Sequence, residues 1–216
     1  MLGRGWEVDP AGLPDSASIF LGNFRQTVNP EWLATVEFIK ESGPVDGVKL
    51  RLSGRRRFHR FEVTVGGEIG VRHLPTEQLF REFNVRREAT ISLDLADVFD
   101  ERGDELPSMT DVRSVEQASE ALVAVVTARA MPFAREHADV DAAIAFISGG
   151  GQRHRSPEFE YILIPALLAT SGRRAEARAA LATYSRRPKS GPRDEEEYGR
   201  FAAQLSAWLD NPSALL

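Results

Sequence analysis

The sequence predicts an α+β fold, with a mostly antiparallel N-terminal sheet of five to six strands followed by an all-helical C-terminal half. Two observations support this prediction. From residue 17 to about residue 100, apolar residues recur at every second position, which is the period of a strand with one buried face. After about residue 110 they recur at every third or fourth position, which is the period of a helix.

Alternation marks the predicted strands one after another. Val48, Leu50 and Leu52 share one face, and the runs 61–65, 69–71 and 91–95 alternate in the same way. The run 32–39 also alternates, although a short helix after Pro30 is an alternative interpretation. These strands predict a meander in which successive strands are neighbours.

Turn and cap residues fix the connections in this meander. Gly66-Gly67 is typical of a two-residue hairpin turn, and 53–57 predicts a longer hairpin loop. A short helix is expected within 75–84, with Thr76 as its N-cap and an apolar face formed by Leu79, Phe80 and Phe83.

The helical half carries its own start and stop signals. Ser114 and Gln117 have the form of a capping box, and Pro132 is expected to end or kink that helix. Asp139 predicts the start of the next helix, which the glycines 149–151 end. Ser156-Pro157-Glu158 is typical of a third helix start.

Two further helices complete the chain. Gly172 is a C-cap candidate for the helix that runs through 159–172, and a helix over 175–187 follows immediately. The acidic residues 194–197 suit the N-terminus of the last helix, whose apolar stripe is formed by Tyr198, Phe201, Leu205 and Trp208.

These segments give a predicted domain organisation. Residues 1–16 form a loose tail, 17–108 the sheet region with one short helix, and 109–211 the helical region. Each region is short of a core when isolated, so we expect the two regions to pack as one unit.

Composition limits the function classes. The 216 residues carry a net charge of -5 and contain no cysteine, which excludes disulfides and thiolate catalysis. The acidic balance argues against general nucleic-acid binding. Because no signal peptide or transmembrane stretch is evident, we expect a cytoplasmic protein. Arginine outnumbers lysine by 24 to three, which is typical of GC-rich genes and favours a bacterial origin.

No cofactor and no metal ion are predicted. The four histidines lack the i, i+4 spacing of a helical metal site. The glycines 149–151 lack the strand and the lysine of a P-loop, and the acidic run 97–105 does not fit a calcium loop.

Residues 166–188 resemble one tetratricopeptide-type helical hairpin. Small residues stand where the two helices would meet, with a glycine at the turn and a proline after the second helix: Ala166, Ala169, Gly172, Ala177, Ala180, Tyr184 and Pro188. Close packing of an alanine-rich helix pair is one interpretation, and a peptide-binding groove is the other.

The candidate binding residues are Arg55, Arg56, Arg57, His59 and Arg60, which lie in and beside the predicted hairpin loop. Arginine forks bind carboxylate or phosphate bidentately. The loop is interpreted either as a solvated hairpin tip, as a site for an acidic protein surface, or as a nucleic-acid patch.

Two function classes remain open. The first is a non-catalytic interaction protein, of the accessory, adaptor or immunity type, whose partner is another protein with an acidic surface. The second is an enzyme acting on an anionic, phosphoester-like substrate, with the arginine loop as an anion clamp. No catalytic residue is assigned, and the oligomeric state is left open.

Overall fold

The computed structural model describes residues 7–8, 20–44, 61–85, 90–100, 108–109, 112–151, 158–187 and 191–211. Strands and helices follow one another in these ranges in the order β1 (Glu7–Val8), β2 (Phe20–Asn29), β3 (Trp32–Pro44), β4 (Phe61–His73), α1 (Leu74–Glu82), β5 (Ile91–Asp94), α2 (Leu95–Asp100), β6 (Ser108–Met109), α3 (Val112–His137), α4 (Val140–Ser148), α5 (Glu158–Thr170), α6 (Arg174–Ser185) and α7 (Pro192–Asp210).

The sheet has the order β1-β2-β3-β4-β5, and β6 also pairs with β4. β1 and β2 are antiparallel, with Glu7 opposite Arg25, and so are β4 and β6, with Val63 opposite Met109. The α+β layout with an N-terminal antiparallel sheet is therefore confirmed. The predicted count of five to six strands is wrong, because only the four strands β2 to β5 exceed two residues in the described ranges.

The predicted hairpin at Gly66-Gly67 does not form. β4 runs without interruption from Phe61 to His73, and Gly67 has a φ of 142°. Glycine accepts this angle inside an extended strand as readily as in a turn, so the glycine pair alone does not define a hairpin. The alternation continues past it, since Ile69, Val71 and His73 are all buried.

Helix α1 begins earlier than predicted. Its N-cap is His73 rather than Thr76, and Pro75 lies in the first turn, where a residue without an N–H is tolerated best. Thr76 is consequently inside the helix and fully buried. The predicted apolar face is confirmed, because its residues Leu79, Phe80 and Phe83 are buried.

Two other boundaries differ from the prediction. β5 ends at Asp94, whose side chain accepts a hydrogen bond from the Ala96 N–H at 2.7 Å and so starts α2, a short helix that the alternation of 91–95 concealed. α3 begins at Val112, before the predicted capping box at Ser114, and it continues through Pro132 to His137.

The chain divides into two compact units, each built from separate segments. The first unit comprises 1–26, 35–69 and 93–132, and the second comprises 27–34, 70–92 and 133–216. The predicted regions 17–108 and 109–211 are not tested by this division and stay a prediction. In the first unit, the buried residues of α2 and α3 include Leu95, Val98, Phe99, Leu122, Val125 and Val126.

The second unit is built around α5. All nine residues from 161 to 169 are buried, and α5 contacts α1, α4, α6 and α7. A helix that is covered on every side has no free face, which accounts for its almost continuous apolar sequence. Phe201 of α7 packs edge-on against Phe80 of α1 and against Phe83, the C-cap of that helix, with ring centroids 6.3 and 6.1 Å apart.

The helix ends of this unit follow the sequence signals. The Asp139 side chain accepts hydrogen bonds from the N–H groups of Asp141 and Ala142, as expected of an N-cap. Gly172 has a φ of 82°, and the Arg173 N–H donates to the Leu168 carbonyl at 2.8 Å, which completes a Schellman turn between α5 and α6.

None of the helices in the described ranges combines the length and apolarity needed to cross a lipid bilayer.

Candidate functional site

The candidate binding residues predicted from the sequence, Arg55, Arg56, Arg57, His59 and Arg60, lie outside the described residues. Convergence of His59, His73 and carboxylates in a pocket beside this loop would favour the enzyme alternative. With His59 outside the described ranges, that alternative stays untested, and the site must be sought in the parts of the chain that are described.

His73 occupies a buried polar site in the second unit. Its side chain is 1% exposed, and its ring lies 4.5 Å from the Trp32 ring at an angle of 36°. The His73 N–H donates to Thr90 Oγ1 at 2.7 Å. Burial lowers the pKa of His73 from 6.5 to about 4, because the charged imidazolium loses its hydration, so the ring is neutral at pH 7.

A chain of hydroxyl groups determines which ring nitrogen carries the proton. Thr170 Oγ1 donates its single hydrogen to the Ala166 carbonyl at 2.9 Å, since a carbonyl can only accept. In the 2.9 Å contact between the two threonine hydroxyls, Thr76 must therefore be the donor. Thr76 then has no hydrogen left for His73, so the 2.8 Å contact to Nδ1 requires an Nδ1–H donor.

This tautomer leaves His73 Nε2 as a bare acceptor. Nε2 lies 4.0 Å from Oε2 of Glu31, whose side chain is 69% exposed. Backbone contacts hold Glu31 in place, because the Leu74 N–H donates to its carbonyl at 2.8 Å and its own N–H donates to Asn29 Oδ1 at 3.0 Å. Two acceptors thus face each other at the edge of the buried site.

Glu31 also lines an open cleft of about 330 Å³, whose walls are Asn29, Pro30, Glu31, Trp32, Ala138, Asp139 and Val140. The two carboxylates in this lining come from Glu31, in the turn between β2 and β3, and from Asp139, the N-cap of α4. In the described part of the chain, no three His, Asp or Glu side chains lie close enough to hold a metal ion.

An ion pair supports α1 beside His73. Arg72 and the buried Glu77 form a bidentate pair, and Arg81 Nη2 lies 3.6 Å from the same carboxylate. Two hydrogen bonds from a guanidinium fix the carboxylate in position. The pair satisfies the charge of Glu77 and gives it a structural role.

Helix α6 presents the main exposed arginine surface of the second unit. Arg174, Arg178 and Arg186 are exposed, and so are Ala175, Ala179 and Ala182 along the centre of the outward side. We call this surface the α6 face. The centre of this face carries only small side chains, with Arg174 at its edge and Arg186 just beyond its C-terminal end.

Neighbouring arginines hold α6 in place. Arg173 donates to Asp141 of α4 and pairs bidentately with Glu176, and these pairings raise the pKa of Arg173 and lower that of Glu176. Arg178 Nη2 lies 2.8 Å from Asp210 Oδ1 of α7. Within the described residues, no carboxylate lies within ion-pair distance of Arg174 or Arg186.

Sequence reasoning missed both of these sites for identifiable reasons. His73 shares the phase of Ile69 and Val71, so its burial was available from alternation, although the hydroxyl chain joins residues 94 positions apart. No local motif singles out the α6 arginines, because arginine is abundant throughout the chain. Their signal is indirect: Ala175, Ala179 and Ala182 lie opposite the buried stripe of this helix, and the arginines flank that exposed face.

Comparison with known proteins gives no match to a family model, to a curated protein or to a solved structure. The resemblance of 166–188 to a tetratricopeptide hairpin is therefore a local similarity of one helix pair. α5 and α6 are in contact, and Ala166, Ala169 and Ala177 are buried, while the choice between close packing and a peptide-binding groove stays open.

Proposed function

We propose that this chain is a non-catalytic interaction protein that binds a protein partner with an acidic surface through the α6 face. The observation that carries the proposal is that Arg174 and Arg186 are exposed and have no carboxylate partner among the described residues. Guanidinium groups held at a surface in this way are suited to pairing with carboxylates of another molecule.

The scaffold behind this face favours recognition by a preformed surface. α5 is buried along nine consecutive residues, and α6 is tied to α4 by Arg173 and to α7 by Arg178. A helix fixed at both neighbours loses little conformational freedom on binding, and preorganisation of this kind strengthens binding.

Charge reversal tests the proposal. The double variant R174E/R186E places two negative charges on the α6 face, and R135E/R200E makes the same charge change at exposed positions of α3 and α7. Each protein is immobilised and used to capture partners from lysate of the source cells. Captured proteins are quantified by mass spectrometry at low and at physiological salt.

We expect R174E/R186E to reduce recovery of an acidic partner by about tenfold or more, since like charges across an interface are costly. R135E/R200E should retain the wild-type recovery. Equal recovery by all three proteins, or equal loss in both variants, would exclude the α6 face as the binding surface.

A further inference from the structure

With the proton on Nδ1, His73 and Glu31 face each other with two hydrogen-bond acceptors and no hydrogen between them. Nε2 of His73 carries a lone pair, and the Glu31 carboxylate 4.0 Å away is also an acceptor. Neither atom can donate to the other. Because Nδ1–H is committed to Thr76, the ring cannot change tautomer without breaking the hydroxyl chain to Thr170.

The surroundings leave Glu31 as the partner for a charge on this ring. β3 contributes the Trp32 ring, α5 contributes the Thr170 hydroxyl through Thr76, and Thr90 accepts from the His73 backbone. The charged groups nearby on α1 and β4, Glu77 and Arg72, are paired with each other, and Arg81 adds to that pair. Asp139 lines the cleft with Glu31 and is engaged as the cap of α4.

We infer that His73 and Glu31 form a proton-operated latch, in which one proton from solvent binds Nε2 and the resulting Nε2–H donates to the Glu31 carboxylate. The Nδ1–H bond to Thr76 is unchanged by this step. Acidification therefore adds a hydrogen bond between the β2–β3 turn and the start of α1. It also draws the exposed carboxylate of Glu31 away from solvent and changes the charge presented to the cleft.

The low pKa of His73, about 4, sets the working range of the latch. Burial keeps the ring neutral at physiological pH, so the latch is open there. It closes in acid, in molecules whose Glu31 is still a carboxylate when the ring takes up its proton. Because the Glu31 side chain is 69% exposed, water screens the pair, and with bulk-water screening a carboxylate at this distance raises the proton affinity of the ring about fivefold.

Nitrogen-15 NMR of the histidine rings tests the latch in the full chain. At pH 7 we expect the His73 ring to show a protonated Nδ1 and a bare Nε2, and on acidification Nε2 should acquire the proton. In E31Q the proton affinity of His73 should fall about fivefold. In D139N, where the amide preserves the cap of α4 and the cleft loses one charge, it should be unchanged.

Three results would overturn the inference. One is an Nε2–H tautomer at pH 7, which would break the assignment of the hydroxyl chain. Another is an unchanged proton affinity in E31Q. The third is an equal change in E31Q and D139N, which would indicate a general field of the cleft. The backbone contacts of Glu31 do not involve its side chain, so E31Q retains the turn.

Discussion

At the scale of single residues, two threonine hydroxyls form a hydrogen-bonded chain inside the second unit. Thr76 and Thr170 link α1 to α5 across 94 positions of sequence, and both hydroxyl hydrogens are used once. Each hydroxyl in this hydrogen-bond chain depends on its neighbour. Removing one of them leaves a buried polar group without one of its partners and destabilises the fold.

Thr170→Val should therefore be costly. The valine methyl cannot accept from Thr76, so the buried Thr76 hydroxyl loses one of its two hydrogen-bond partners, and we expect a loss of about 1–3 kcal/mol in unfolding free energy. Thr183→Val is the matched control, since Thr183 also donates to a carbonyl four residues earlier at 2.9 Å, on an exposed surface. Urea denaturation measures both. Equal effects of the two substitutions would contradict the role of the buried chain.

Burial of neutral His73 gives stability a defined pH dependence. The pKa is about 4 in the folded chain and about 6.5 when unfolded, so the unfolded state binds more protons between these values. The stabilisation is complete above pH 6.5 and is lost as the pH falls toward 4. We expect a contribution of about 2 kcal/mol to be lost between pH 7 and pH 5.

Denaturation of the wild type and of His73→Asn at several pH values measures this contribution. Asparagine keeps a donor near the position of Nδ1 and cannot take up the proton. Its free energy of unfolding should depend less on pH in this window. The same slope in both proteins would show that other groups cause the pH dependence.

At the scale of secondary-structure elements, glycines end two helices of the second unit. Gly172 at φ 82° closes α5, and Gly150 at φ 76° closes α4, both in the left-handed region that side chains disfavour. Gly151 has a different reason to lack a side chain, because an added Cβ would lie 2.4 Å from the Phe146 ring. Gly199, inside α7, has open space around it.

Replacing glycine with alanine should have opposite effects on the unfolding free energy at positions 172 and 199. Gly172→Ala should lower the unfolding free energy by about 1 kcal/mol, because alanine is strained at this φ. Gly199→Ala should raise it by up to about 1 kcal/mol, because alanine is the better helix former. Thermal unfolding of the two variants gives the sign directly. Destabilisation by Gly199→Ala would mean that α7 is packed more tightly at this point than the structure shows.

Sequence patterns predicted the helices and strands better than the boundaries between them. The caps at Asp139 and Gly172 were predicted because each signal acts within one turn of helix. The β4–α1 junction was misplaced because Pro75 and the buried His73 decide it together, and the burial of His73 depends on Thr170 and Trp32, far away in sequence. α2 was missed because four alternating residues lead directly into the Asp94 cap.

The α6 face and the His73 site also differ in how far local sequence patterns could predict them. On α6 the exposed alanines lie opposite a periodic buried stripe with the arginines beside them, so the exposure of this face could be predicted from spacing. The hydroxyl chain could not, since no local pattern specifies which threonine meets which histidine. Contacts between distant segments are set by packing, and a single sequence carries no direct record of them.

At the scale of the whole molecule, the charge of the α6 face differs from the net charge of the chain. The chain has a net charge of -5, yet the α6 face is basic. A local field opposite in sign to the net charge favours approach by an acidic patch while disfavouring strongly anionic polymers. Binding through it should weaken as salt is added, because exposed charges are screened.

The most direct measurement is site-specific photo-crosslinking in the source cells. A photoreactive residue replaces Ala179, at the centre of the α6 face, or Ala203, an exposed alanine of α7 that serves as the control. Interaction through the α6 face predicts a covalent adduct with an acidic protein at position 179 and none at position 203. No adduct at position 179, or the same adduct at both positions, would contradict it.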